Sequence, residues 1–214
     1  NPLIALEWIE KDGHRLAKLT VEPSERDGFK LLERRVTIVE FANRLTRQLV
    51  AKNRNLANGS GVAIGDVDGD GLPDIYFCGH QVDNKLYRNR GGWRFEDSTA
   101  ESGVACPRQY CTGALLADVD GDNDNDLLVT GLAKGTRLFL NDGFGKFTEK
   151  NDSGLFPKLG ATSMAMADID SDGDLDLYVT NYRTTNYKDR PPGVNVEVKQ
   201  ENGKVIVTPA NRFL

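Results

Sequence analysis

Three aspartate clusters, almost evenly spaced, constrain this chain more than any other feature. They read Asp66-Val-Asp68-Gly-Asp70-Gly-Leu72-Pro-Asp74, Asp118-Val-Asp120-Gly-Asp122-Asn-Asp124-Asn-Asp126 and Asp168-Ile-Asp170-Ser-Asp172-Gly-Asp174-Leu-Asp176. Each places carboxylates at positions 1, 3, 5 and 9 of a tight loop. Two carboxylates about 4 Å apart repel by roughly 1 kcal/mol in bulk water, and by more at protein dielectrics. A hard cation that takes roughly six to eight oxygen ligands in flexible geometry turns this repulsion into coordination, and calcium is the best fit. Positions 1, 3 and 5 supply side-chain oxygens. Position 7 (Leu72, Asp124, Asp174) lends a backbone carbonyl, and position 9 (Asp74, Asp126, Asp176) closes the shell through both carboxylate oxygens. Position 6 is Gly71, Asn123 or Gly173, the residue types that best tolerate a left-handed backbone. The expected cofactor is therefore Ca²⁺, about three ions, one per loop.

An EF-hand would need a glutamate at position 12 and flanking helices. Position 12 is Phe77, Val129 or Val179, and the flanks look like strands. Gly61-Val-Ala-Ile-Gly, Gly113-Ala-Leu-Leu-Ala and Ser163-Met-Ala-Met-Ala precede the loops; Asp74-Ile-Tyr-Phe-Cys, Asp126-Leu-Leu-Val-Thr and Asp176-Leu-Tyr-Val-Thr follow them. Short apolar runs of this kind predict buried strands. Third strands are expected at Asn84-Lys-Leu-Tyr-Arg-Asn and Thr136-Arg-Leu-Phe-Leu-Asn. After Gly-rich turns, fourth strands follow at Trp93-Arg-Phe-Glu-Asp and Lys146-Phe-Thr-Glu. The loops begin at residues 66, 118 and 168, so the period is close to 50 residues. Four antiparallel strands at that period describe an all-β fold of β-propeller blades. Kelch repeats share the period but lack the Asp-x-Asp-x-Asp loop.

Gly61-Val-Ala-Ile-Gly-Asp-Val-Asp-Gly-Asp-Gly71 and Leu138-Phe-Leu-Asn-Asp-Gly-Phe-Gly-Lys-Phe-Thr148 resemble the FG-GAP/VCBS repeats of integrin α-subunits and many bacterial secreted proteins. Asn58-Gly-Ser-Gly and Asp176-Leu-Tyr-Val-Thr-Asn-Tyr resemble the ASPIC/UnbV, cartilage-acidic-protein-like branch. The resemblance covers roughly residues 36–183. It implies a calcium-binding propeller in which the loop aspartates ligate calcium on the face opposite the ligand-binding one. Loop 2 departs from the pattern at Asn123 and Asn125, but its ligand positions are intact.

The repeats divide the chain into a lead-in (1–57) and a propeller region (58–214), with blades near 58–104, 110–155 and 161–214. In the lead-in, Leu3–Ile9, Arg15–Val21 and Val36–Phe41 are candidate strands, and Leu45–Asn55 is basic and loosely helical. The third blade breaks its period. A third-strand phrase reappears only at Asn211-Arg-Phe-Leu214, and alternation around Asn202-Gly203 predicts a hairpin inserted over 194–208. Propellers need at least four blades, so the expectation is a piece of a larger ring of about seven, with the rest of the propeller as a partner.

The three loops hold fourteen aspartates against a formal net charge of −5, which leaves the rest of the chain at +9. That positive charge is scattered and lacks interleaved aromatics, so a solvated face is expected and not a nucleic-acid interface. No apolar run is long enough to span a membrane. Loops of this kind suit extracellular calcium, so the expected location is extracellular, periplasmic or cell-surface. Of the three cysteines, Cys106 and Cys111 flank a short loop and are candidates for a disulfide, with pairing to Cys78 left open.

Successive loops of an antiparallel sheet alternate between faces. The face away from the calcium loops gathers the irregular segments, where binding residues concentrate. His80, Tyr110, Tyr182, Arg183 and Tyr187 are the candidates there for a protein or glycan ligand. The competing expectation is part of a calcium-dependent polysaccharide lyase or hydrolase. With only His14 and His80 and no Gly-x-Ser-x-Gly elbow, the chain shows no catalytic set of its own, so it is read as a non-enzymatic recognition module.

Overall fold

The computed structural model describes residues 8–12, 14–17, 29–52, 54–132, 135–155, 160–182, 196–201 and 204–209. They fall into two compact units, Asn1–Glu33 and Arg34–Leu214. In the first, β1 (Trp8–Lys11) and β2 (His14–Ala17) pair as an antiparallel hairpin with Trp8 opposite Ala17.

The second unit opens with a helical turn, α1 (Arg34–Thr37). This corrects the strand expected over Val36–Phe41. Ile38 adopts φ +61°, which interrupts any extended run, and its N–H closes back on the Arg34 carbonyl at 2.7 Å. The segment is anchored by packing: the Phe41 ring stacks on Phe77 at 5.0 Å, and the Glu40 N–H donates to the Tyr87 hydroxyl at 3.1 Å. Helix α2 (Arg47–Lys52) and a 3₁₀ turn (Arg54–Asn58) follow, where the sequence reads as loosely helical.

Two four-stranded antiparallel blades come next. The first is β3 (Val62–Gly65), β4 (Asp74–Phe77), β5 (Lys85–Asn89) and β6 (Phe95–Asp97), paired in chain order. The second is β7 (Tyr110–Ala117), β8 (Asp126–Leu132), β9 (Gly135–Leu140) and β10 (Thr148–Glu149), also in chain order. A helical turn, α3 (Thr99–Ser102), lies between the blades. The fourth strand of blade 1 starts two residues later than expected. Gly91, Gly92 and Trp93 all have positive φ, so Trp93 belongs to the turn and is left exposed. The third repeat contributes the hairpin β11 (Gly160–Ala167) and β12 (Asp176–Tyr182). A further hairpin, β13 (Val196–Glu201) and β14 (Lys204–Pro209), forms around the Asn-Gly dipeptide. The phrase at 211–214 lies outside the described residues.

All three aspartate loops join a first and second strand in the same register. Gly65 pairs with Asp74, Ala117 with Asp126, and Ala167 with Asp176. This is the pattern of propeller blades, and the fold is all-β. The residue before β3 approaches β7 of the next blade closely because both positions are glycine: a Cβ on Gly61 would stand 2.6 Å from the Gly113 Cα. Thr112 then reaches onward from blade 2 to the Ala161 carbonyl at 2.6 Å. One apolar core runs through both complete blades, with Val67, Tyr76, Leu86 and Val104 from the first side meeting Leu127, Val129, Phe139 and Phe147 from the second. Fully burying a large apolar side chain contributes about 1.5–3 kcal/mol, so the blades stabilise each other.

Candidate calcium sites

Each loop turns sharply because two of its positions are left-handed. Position 6 (Gly71, Asn123, Gly173) has φ between +71° and +97°. Position 4 (Gly69, Gly121, Ser171) does the same, with φ from +63° to +83°. Sequence reasoning found only position 6; the glycines at 69 and 121 were the available signal for position 4.

Asp66 at position 1 pins the turn. Its two oxygens accept the N–H groups of Gly69 and Gly71, both at 2.8 Å. Asp118 repeats this with Gly121 (2.7 Å) and Asn123 (3.0 Å), and Asp168 accepts from Gly173 at 3.2 Å. These bonds hold the carboxylates of Asp66, Asp68 and Asp70 together, with one oxygen of each lying within 4.8 Å of the others. Asp118, Asp120 and Asp122 form an equal cluster, and in loop 3 the trio is Asp168, Asp170 and Asp176.

The aspartates at position 9 carry a second task. Asp74 is fully buried; one oxygen accepts the Val67 N–H at 2.9 Å and the other the Asn89 N–H at 2.7 Å. Asp126 is equally buried and accepts from Val119 (3.0 Å) and Asn141 (2.9 Å). Each thus ties the start of its loop to the end of the third strand. A carboxylate offers about four lone-pair sites, so these bonds leave capacity for a cation. Burial pushes both carboxyls up, the backbone N–H donors oppose it, and the neighbouring aspartates push up again.

Do these residues fit a calcium ion? Two buried carboxylate oxygens, Asp68 Oδ1 and Asp124 Oδ1, have no hydrogen-bond partner among the described residues. Asp124 is pushed up to about 6 by burial and by the charges of Asp122, Asp126 and Asp120. Orphaned oxygens amid mutually repelling carboxylates are what a hard divalent cation relieves. The set fits. Asp124 lies outside the Asp118–Asp120–Asp122 cluster, yet its side chain carries one of the two orphaned oxygens. Loop 1 also carries local positive charge, with Arg88 Nε 3.2 Å from Asp68 and Arg90 at 4.0 Å.

Loops 1 and 2 are joined directly. Asn125 Nδ2 donates to the Asp66 carbonyl at 2.7 Å, and Asn141 Nδ2 donates to the Val67 carbonyl at 2.9 Å. Arg88 reaches across to the Phe144 carbonyl in the β9–β10 turn. Asn125, a departure from the repeat pattern in sequence, is thus a bridge between loops.

The profile of the FG-GAP-like repeat family matches residues 66–129 and 118–179, just over half of the chain. The chain belongs to the FG-GAP-like repeat family. Among curated proteins it is similar to cartilage acidic protein 1 of Homo sapiens, 33% identical over 82 residues, which is 38% of this chain and 12% of that protein. The Mus musculus protein of the same name is 32% identical over 82 residues, covering 38% and 13% respectively. The Xenopus tropicalis one is 26% identical over 113 residues, covering 49% and 18%. The matched part of this FG-GAP-like chain thus spans less than a fifth of these relatives.

On the face away from the loops, two of the expected ligand residues come together. His80 and Tyr110 line one cavity of about 390 Å³ with Gln81, Asp83, Arg108 and Gln109. His80 is almost wholly buried, burial lowers its pKa, and neither ring nitrogen has a hydrogen-bond partner among the described residues. A neighbouring cavity of about 440 Å³ shares Pro107, Arg108 and Gln109 and includes Arg137, which is paired with Glu149 at 2.6 and 2.7 Å. Tyr182 ends β12, and Arg183 and Tyr187 lie outside the described residues. No helix among the described residues is long and apolar enough to cross a membrane. The three cysteines are free and buried.

Proposed function

We propose that this FG-GAP-like chain is a calcium-binding propeller module that serves as a rigid scaffold for recognition outside the cytosol. The observation that carries the reading is the repetition of one acidic hairpin loop in one register in three repeats, with orphaned carboxylate oxygens in two of them. Asp66, Asp68, Asp70 and Asp74 hold the first ion, with the Leu72 carbonyl. Asp118, Asp120, Asp122, Asp124 and Asp126 hold the second, and Asp168, Asp170, Asp172, Asp174 and Asp176 the third. Bound calcium supplies positive charge that neutralises the carboxylates and stiffens each hairpin.

The opposite face then acts as the recognition surface for a protein or glycan. The cavity that holds His80 and Tyr110 is walled by the β4–β5 loop and the connection between blades. The module itself carries out no catalysis. The test is a screen of immobilised glycans and extracellular proteins in calcium and in chelator. Saturable binding that needs calcium and is lost on Tyr110→Ala or Gln81→Ala supports the reading. Turnover of an acidic polysaccharide, or binding indifferent to both substitutions, overturns it.

A further inference from the structure

The core holds three buried sulfurs, Cys78, Cys106 and Cys111. The Cys106 and Cys111 thiols flank the short Pro107–Tyr110 stretch between the two blades. Both also touch one polar pair: the Tyr76 hydroxyl lies 3.7 Å from Cys106 Sγ, and Asn84 Nδ2 lies 3.2 Å from Cys111 Sγ and 2.6 Å from that hydroxyl. The backbone is clamped on either side. The Asn84 N–H donates to the Ala105 carbonyl at 2.9 Å, and the Cys111 N–H donates to the Gly79 carbonyl at 3.0 Å. Between the clamps, Cys106 and Arg108 adopt φ +47° and +60°. Non-glycine residues hold such conformations only where the surroundings enforce them. Cys78 is not hydrogen-bonded to either sulfur; burial and the neighbouring Cys106 push its thiol up to about 12.

We propose that Cys106 and Cys111 form an intrachain disulfide, leaving Cys78 as a structural core thiol. The cross-link closes the connection between blades 1 and 2 and fixes Pro107, Arg108 and Gln109, the wall that the two cavities share. The oxidant is a low-molecular-weight disulfide such as oxidised glutathione. Cys106, on the connection between the blades, is the attacking group, and its thiolate is the nucleophile. It gives up its proton and attacks the small disulfide, forming a mixed disulfide and expelling one small thiolate. Cys111 then loses its proton and displaces the second small thiolate. Two protein thiols and one small disulfide thus become one protein disulfide and two small thiols, with two electrons passing to the small molecule and both protons leaving on its thiols.

Formation of this disulfide does not depend on calcium and is measured separately from calcium binding. The full-length protein is equilibrated with oxidised and reduced glutathione, denatured in an alkylating reagent and digested with trypsin without reduction. Arg108 lies between the two cysteines, so cleavage there separates Phe95–Arg108 from Gln109–Lys134. The expected result is one linked species of these two peptides that separates on reduction, with Cys78 alkylated in Asn55–Lys85. A Cys78→Ala variant is expected to keep the link. Alkylation of all three cysteines in the oxidising buffer, or a link that includes Cys78, overturns the proposal.

Discussion

Replacing Asp120 by asparagine separates the metal-binding task of the loop carboxylates from their structural one. The oxygens of Asp118, Asp120 and Asp122 lie within 4.8 Å of one another. At that spacing each pair repels by about 1 kcal/mol in bulk water, so Asp120 experiences about 2 kcal/mol from its two neighbours. Physiological salt, with a Debye length of about 8 Å, trims this to about 1 kcal/mol. In chelator, Asp120→Asn is therefore expected to raise the melting temperature by about 2–4 °C. In calcium the sign reverses. At free calcium ten times Kd, each independent site adds about 1.4 kcal/mol, and the variant forfeits one such increment. Asp126→Asn is the contrasting case. Asp126 is fully buried and both its oxygens accept backbone N–H groups, so the amide leaves a donor facing a donor. A cost of about 1.5–3 kcal/mol is expected with or without calcium. The assay is thermal unfolding of both variants and the parent protein in chelator and in calcium. An Asp120→Asn variant that melts lower in chelator yet keeps the whole calcium-induced gain would refute the assignment of Asp120 as a metal-binding carboxylate.

Three further outcomes are expected. Gly121→Ala places a side chain at φ +83° with open space around it, so the cost is conformational, about 1–2 kcal/mol in urea unfolding; an unchanged midpoint would contradict the left-handed assignment. Tyr76→Phe removes a buried hydroxyl that donates to the Val104 carbonyl at 2.8 Å and accepts from Asn84 at 2.6 Å. A loss of about 2 kcal/mol is expected, and an equally stable variant would show that this network is not needed. His80 has its pKa lowered from 6.5, chiefly by burial. The unfolded chain therefore takes the proton first as pH falls: the stability His80 contributes is complete above about 6.5 and declines as pH drops towards the folded value. The parent protein should lose more melting temperature between pH 7 and pH 5 than His80→Gln, and equal pH slopes would refute the burial argument.

The hairpins around the aspartate loops were legible because two local signals coincide there. Carboxylates at alternate positions mark the turn, and the apolar runs beside them have no other use. The starts of β4, β8 and β12 fall on the expected Asp74, Asp126 and Asp176. Tertiary contacts were not legible. Nothing local to Phe41 shows that its ring will stack on Phe77, so the neighbouring residues read as a strand. Asp74 and Asp126 look like their fellow aspartates in sequence, yet among the loop aspartates only they are buried, and each ties the start of its loop to the end of a third strand, because burial depends on the blade that packs behind them. Asn125 reads as a departure from the repeat until the adjoining loop is seen to present the Asp66 carbonyl to it. His80 and Tyr110 share a cavity because the β4–β5 loop and the connection between blades meet at the same end of the sheets. Only the alternation of loops between faces hinted at that meeting.

Calcium titration of chelator-stripped protein, with heat of binding and melting temperature recorded on the same samples, bears most directly on the three loops. Binding of about three ions is expected, with the melting temperature climbing as the sites fill. A folded protein that takes up no calcium, and whose melting temperature does not respond to it, would contradict the assignment of Asp66–Asp74, Asp118–Asp126 and Asp168–Asp176 as metal sites.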